Sequence, residues 1–347
     1  MRVLLALKTS VALLMLSSCY VSRLAYEHSA LLLKRQKISE AVSDGKVDEK
    51  TKAKLKEIQE ILEFARQSGF NVGDAYEYFI NLERSAVSYV VQGAPPEELK
   101  LKTWWFPIVG SVPYLGYYDE KDALKMQKEL EDEGLETNVS GVSAYSSLGW
   151  FSDPVFTPML KRSRESLAEL IFHELTHRTI WIPDEAQFNE RLADIVGKYT
   201  AIQYLEKKKD LAAIERLKSK HEDSQLFSHW VSRLKSDVEI LIKKYRKKQI
   251  NFANFKEEKR KIYAAAILEP LKPKFKLVDY VGNEAWNNAS LMAANLYREP
   301  NLELDRALNC QEEPRLKKFF AKIEQVITQK KSAGFVKNPA ETICVIF

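Results

Sequence analysis

One nonapeptide constrains this chain more than any other stretch: Glu169-Leu-Ile-Phe-His173-Glu174-Leu-Thr-His177. No Gly or Pro falls between Lys161 and Trp181, and Leu167, Leu170, Ile171, Phe172 and Leu175 recur at helical spacing. The pattern predicts a helix. On a helix, positions four apart share a face one turn apart, so His173 and His177 project to the same side. Two imidazoles placed that way can close on a single metal ion, and zinc suits imidazole nitrogen. Glu174, beside the first histidine, reaches a water in the open position of such an ion and can take its proton. The chain has only five histidines, so two of them in this spacing are informative.

Beyond Pro183 the chain reads Phe188-Asn189-Glu190-Arg-Leu-Ala-Asp194. A catalytic zinc site needs a third protein ligand, often a carboxylate. Glu190 lies 13 positions after His177, enough for a turn through Trp181-Ile-Pro-Asp184 and the start of a second helix. Asp194, one turn further on the same face, would accept the free ring N–H of a ligating histidine and fix its tautomer. His-Glu-x-x-His followed by Asn-Glu-x-x-x-Asp resembles the thermolysin-like metallopeptidases known as gluzincins. That resemblance makes Glu190 the third ligand and Asp194 its supporting carboxylate.

The N-terminus reads as a targeting segment. Arg2 and Lys8 precede a short apolar run, Val11 to Leu16, too short to span a bilayer comfortably. Leu16-Ser17-Ser18-Cys19 resembles a bacterial lipobox. The resemblance implies cleavage of residues 1–18 and a lipid on Cys19. With no Asp at position 20, it also implies a lipoprotein of the outer membrane facing the periplasm. The formal charge is +5, and without residues 1–18, which hold Arg2 and Lys8 and no acid, it is +3. That is too weak a field to argue for nucleic acid, and the lysine runs read as solvated helix faces. Cys310 and Cys344 remain, compatible with one disulfide or with two free thiols.

The expected fold is α+β and mainly helical. Residues 19–100 form an N-terminal region rich in helix, including one from Glu49 to Gln67 stopped by Ser68-Gly69. Strands are expected around Val87–Val91, Leu101–Phe106, and Leu135–Tyr145, with a helix from Glu120 capped by Asp119. A small sheet therefore precedes the metal helix within a core spanning 101–206. Gly141 to Tyr145 is the candidate edge strand for a substrate backbone. Residues 207–347 are expected to be helical and to pack with that core.

These residues together resemble a family of bacterial lipoproteins predicted to be zinc aminopeptidases. The carriers are Cys19-Tyr20, Thr103-Trp-Trp-Phe-Pro-Ile-Val-Gly110 with Gly116-Tyr117, Tyr145-Ser-Ser-Leu-Gly-Trp-Phe-Ser-Asp-Pro154, the nonapeptide, Phe188-Asn-Glu190, Gly197 and Asn287-Asn-Ala289. The resemblance implies hydrolysis of N-terminal residues from peptides, with zinc as cofactor and Glu174 as general base. After Glu190 this chain departs from the family's usual Ser-Phe-Ala-Thr and carries Arg191-Leu-Ala-Asp194.

A hydrolase of this kind needs a donor for the developing oxyanion, commonly Tyr or His. Tyr145, Tyr297, His221 and His229 are candidates. His28, near the anchor, is discounted. Asn287 and Asn288 could hold a substrate ammonium or cap the helix that follows. Three readings stay open: an aminopeptidase, another metal hydrolase such as an endopeptidase or cell-wall peptide amidase, and a non-catalytic envelope scaffold with a structural metal.

Overall fold

The computed structural model describes residues 20–43, 47–106, 110–142, 152–266, 274–276, 286–296, 308 and 315–333. Cys19, Tyr145, Tyr297, Cys310, Cys344 and the signal segment lie outside these described residues. Within them the architecture is α+β, mainly helical with small sheets.

The chain opens with α1 (20–32), β1 (Gln36–Lys37), α2 (Ile38–Ser43) and α3 (Glu49–Ser68). Short strands follow: β2 (Tyr78–Ile80), β3 (Ser88–Ala94), β4 (Trp104–Phe106), β5 (Gly110–Val112) and β6 (Leu115–Tyr117). Then come α4 (Glu120–Asp132), β7 (Glu136–Val142), β8 (Val155–Phe156), α5 (Thr157–Leu160), α6 (Arg164–Thr179) and α7 (Ala186–Lys208). The last elements are α8 (Leu211–Arg246), α9 (Phe252–Ala265), α10 (Asn288–Leu296) and α11 (Arg315–Ala333). No helix among the described residues is long and apolar enough to cross a membrane.

The strands form three small sheets, ordered β1-β2-β8, β6-β3-β7 and β4-β5. β7 is an edge strand of the second, paired to β3 with Gly141 opposite Tyr89. The extension of that edge to Tyr145 falls on residues 143–145, outside the described set. β1, β2 and β8 escape a sequence reading because strands of two or three residues have no alternation to detect. The long helical stretch after Asp210 is one continuous helix, α8.

The main core sits where α3, α6 and α7 meet the sheet β1-β2-β8. Phe172 is its hub: fully buried, with ring neighbours Phe70 at 5.7 Å, Phe64 at 6.0 Å and Tyr204 at 6.3 Å. Truncating such a ring to alanine costs about 3–5 kcal/mol. Phe319 and Phe320 of α11 close this core from the far end of the chain. A second cluster joins α8, α9 and α10, and a third packs α4 on β3 and β6. α6 is thus held along its apolar side by contacts that reach across the chain.

Candidate metal centre

α6 starts after Ser163 and buries Leu167, Ala168, Ile171, Phe172, Leu175 and Thr176 on one side. This is the apolar stripe read from the sequence, and it fixes the helix's rotation. With Phe172 turned into the core, His173 and His177 are left on the flank that faces α7.

The turn between the helices is built by side chains. Asn189, almost fully buried, accepts from the Ile182 amide at 3.0 Å and donates to the Ile182 carbonyl at 2.7 Å. Asp184 adopts a left-handed φ of +65° at the corner. The connection reverses the chain, so α7 returns along α6 and presents Glu190 and Asp194 to the two histidines.

The geometry closes tightly. His173 Nε2 and His177 Nε2 lie 3.2 Å apart, and Glu190 oxygens lie 3.4 Å and 3.6 Å from them. The edges of a tetrahedron around zinc, with bonds near 2.0–2.2 Å, measure about 3.4 Å. Two ring nitrogens facing each other with a carboxylate beside them converge on one point, so His173, His177 and Glu190 could hold a metal ion. They form a fitting donor set of two imidazoles and one carboxylate. Asp194 Oδ1 sits 3.1 Å from His173 Nδ1, the contact that would leave Nε2 free to ligate. His177 Nδ1 is buried with no protein partner among the described residues, and the Trp181 indole packs edge-on against its ring at 5.6 Å.

The local field favours a cation. Burial opposes a charge on His173, but hydrogen bonds to Asp194 and Glu190 and the charge of Glu174 outweigh it and drive its pKa well above the usual range. Burial likewise works against the Glu190 carboxylate, and the two imidazoles overcome it, pulling that carboxyl far below normal. The carboxylates that favour a positive charge on His173 would also favour a metal ion beside it. Glu174 moves the other way. Burial raises its pKa, with Glu190 adding and His173, His177 and Arg162 pulling back. A carboxyl tuned upward is better matched to proton exchange near neutral pH.

A family model described as "Putative aminopeptidase" matches residues 19–334. The chain belongs to that family. No curated protein matches it, and no solved structure matches it.

Other residues approach this cluster from distant regions of the chain. The loop after α3 wraps the C-terminal end of α6. The Asn71 amide donates to Thr179 Oγ1 at 3.1 Å, and Arg178 pairs with Asp74 at 2.8 Å. Two residues on, Tyr76 is locked in a left-handed φ of +61°, with its amide donating to the Asp153 carbonyl at 2.6 Å. Its buried hydroxyl has no partner among the described residues. Burial first, and then the charge of Glu174, raise its pKa. A non-glycine residue at positive φ is uncommon and is held there by its surroundings.

The β4-β5 hairpin docks on the corner between α6 and α7. The Ser111 amide donates to Asp184 Oδ1 at 2.8 Å, and Gly110, at φ +75°, lies so close that a Cβ would meet that oxygen at 2.5 Å. This docking carries Tyr114, three residues on, into the field of the site. Burial raises its pKa, and the charges of Glu190 and Glu174 raise it further. Arg162, before α6, feels Glu169 and Glu174, although burial weakens its charged form.

The remaining sequence candidates lie elsewhere. Asn287 caps α10: it accepts from the Ser290 amide at 2.9 Å and donates to the Thr137 carbonyl at 2.9 Å. Asn288 is fully buried. Its amide group donates to the carbonyls of Pro95, Pro96 and Glu98, and it accepts from the Tyr263 hydroxyl. Their side-chain amide groups join α10 to the β3-β7 sheet region, while their oxygens cap α10 and tie it to α9. His221 pairs with Glu169 at 2.9 Å, and His229 bonds the Gln225 carbonyl on its own helix. Tyr145 and Tyr297 lie outside the described residues. Tyr76, Tyr114 and Arg162 escape the sequence reading. Only Tyr114 leaves a trace in the sequence, lying in the Pro- and Gly-punctuated aromatic stretch 103–117.

Proposed function

We propose that this chain is a zinc-dependent aminopeptidase of gluzincin type, with residues 101–206 as its catalytic core. The observation that carries the reading is the convergence of two imidazole nitrogens and one carboxylate within 3.6 Å, with a glutamate beside them on the same helix. A structural zinc is closed by four protein ligands. Here three candidate ligands converge among the described residues, which supports a site with a position left for water or substrate.

A zinc ion held by His173, His177 and Glu190 supplies Lewis acidity and lowers the pKa of a bound water towards about 7. The protein's contribution follows from its own groups. Glu174 accepts the water's proton and returns it to the departing amine. Asp194 holds the His173 ring in orientation. Tyr114, partly exposed and kept protonated by its raised pKa, is the hydroxyl donor to the developing oxyanion. Tyr76 is too deeply buried to touch substrate.

The N-terminal reading belongs to the same proposal. Residues 1–18 are a signal peptide, and Cys19 carries a lipid that holds the enzyme on the periplasmic side of the outer membrane. The assignment rests on the lipobox-like Leu16-Ser17-Ser18-Cys19.

Metal content of the soluble chain starting at residue 20, wild type beside His177→Ala, tests the centre. About one zinc per chain is expected, and it should be lost in the variant. Peptides with free and acetylated N-termini then test the exopeptidase assignment. Cleavage of acetylated peptides would move the reading to an endopeptidase or a cell-wall amidase.

A further inference from the structure

The two long sides of α1 differ in kind. Its inward side is bolted to the body. The Tyr20 hydroxyl donates to the Gly116 carbonyl at 2.8 Å and accepts from the Gly116 amide at 2.9 Å, while its ring packs on Phe106 and Tyr117. His28 Nδ1 meets the Tyr118 hydroxyl at 2.8 Å, and Arg23, half exposed at the border between the two sides, pairs with Glu27 and Asp122.

The outward side carries Val21, Ser22, Ala25, Tyr26 and Ser29, with Leu33 just past the helix end. Val21, Tyr26 and Leu33 are 44%, 75% and 87% exposed. This stripe holds no charge. The solvent face of α4, by contrast, carries Lys121, Lys125, Glu129 and Asp132, with the single exposed apolar side chain of Leu124 set among them. A helix facing water normally presents charge, and an exposed apolar stripe marks a contact surface. The Ser29 hydroxyl is turned onto the Ala25 carbonyl at 2.7 Å, so less polarity is left to solvate. Tyr26 has the apolar ring and polar tip favoured at a membrane–water interface. Exposed Lys34 and Arg35 follow at the far end, suited to anionic headgroups.

We propose that the outward face of α1 lies on the lipid bilayer, so that the enzyme rides on the membrane in one fixed orientation. The inference rests on the acylation of Cys19. Cys19 is one peptide bond from Tyr20, within about 4 Å between Cα atoms. Tyr20 is fastened to β6, so no flexible linker separates the lipid from the folded body. Acyl chains entering the bilayer at Cys19 therefore bring the first turn of α1 to the headgroup level. The charge-free stripe is the side of that helix free to settle there.

The test uses the full chain, processed in bacteria, purified and placed in vesicles of phosphatidylethanolamine and phosphatidylglycerol. Benzoylphenylalanine replaces Tyr26 in one preparation and Lys125 in another, and both are irradiated. Phospholipid adducts at position 26 and their absence at position 125 are expected. An acylated chain without phospholipid adducts at position 26 would overturn the membrane-face assignment and leave the anchor standing. Adducts from position 26 to a second copy of the chain would assign the stripe to a dimer and overturn it equally. Intact mass reports the anchor separately. An unmodified Cys19 would remove the lipoprotein reading, and the fixed orientation would fall with it.

Discussion

Gly197 of α7 lies against the backbone of His173: a Cβ at Gly197 would stand 3.2 Å from the His173 amide nitrogen and 3.1 Å from the Glu169 carbonyl oxygen. This approach sets how near α7, with Glu190, comes to the histidines. Gly197→Ala must push the backbones of α6 and α7 apart. It gains helix propensity but overpacks the contact, for a net loss of about 1 kcal/mol. Thermal unfolding should show that loss, and zinc titration should show weaker binding. Gly197→Val should be worse in both.

Glu174→Gln keeps the shape and the metal ligands but removes the base. Turnover should fall by about 10²–10⁴-fold with zinc stoichiometry unchanged. Retained hydrolysis in this variant would take the proton-transfer role away from Glu174.

Asp194→Ala removes the acceptor from His173 Nδ1 without touching a ligand. Zinc affinity should drop by about 10–100-fold, read by competition with a chelating dye. Unchanged affinity would mean that the ring is oriented by its packing alone.

Tyr114→Phe deletes the hydroxyl proposed as oxyanion donor. If that hydroxyl meets the oxyanion, kcat should fall by about 10²-fold while KM and zinc content stay close to wild type. A change in KM alone would make Tyr114 a substrate contact rather than an oxyanion donor.

Glu169 offers a test of the scaffold through pH. Burial works against its charge, but His221 and Lys220 overcome it and hold its carboxyl at about 2, below the usual 4.5. A depressed carboxylate stabilises the fold above its unfolded pKa, and that contribution is lost as pH falls towards 2. Glu169→Gln should therefore cost up to about 3 kcal/mol at pH 6. The gap to wild type should narrow between pH 4.5 and pH 2. A gap that stays constant through that window would show that packing, not charge, is lost in the variant.

Much of the candidate site could be read along the chain because its components are local. The helical spacing of His173, Glu174 and His177, and the later Glu190 and Asp194, are short-range patterns that one helix hairpin converts into a cluster. What the sequence concealed arrives from a distance. Tyr76 is delivered by a loop wrapped on the end of α6, and Tyr114 by a hairpin docked on Asp184. Neither placement has a periodicity to read. Asn287 and Asn288 show the converse. Their types suit a ligand or a helix cap, and only the carbonyls of the β3-β7 sheet region reveal what they hold.

All three candidate ligands, the base and the supporting carboxylate fall between His173 and Asp194, on two adjacent helices. Closing so short a segment costs little chain entropy compared with assembling the sheets. The pairings that join α11 to Phe70 or α10 to β7 must close far longer loops. A metal ion arriving during folding would thus find its ligands in a nascent helical hairpin. By binding there it would pin the hairpin's register before the distant elements close over it.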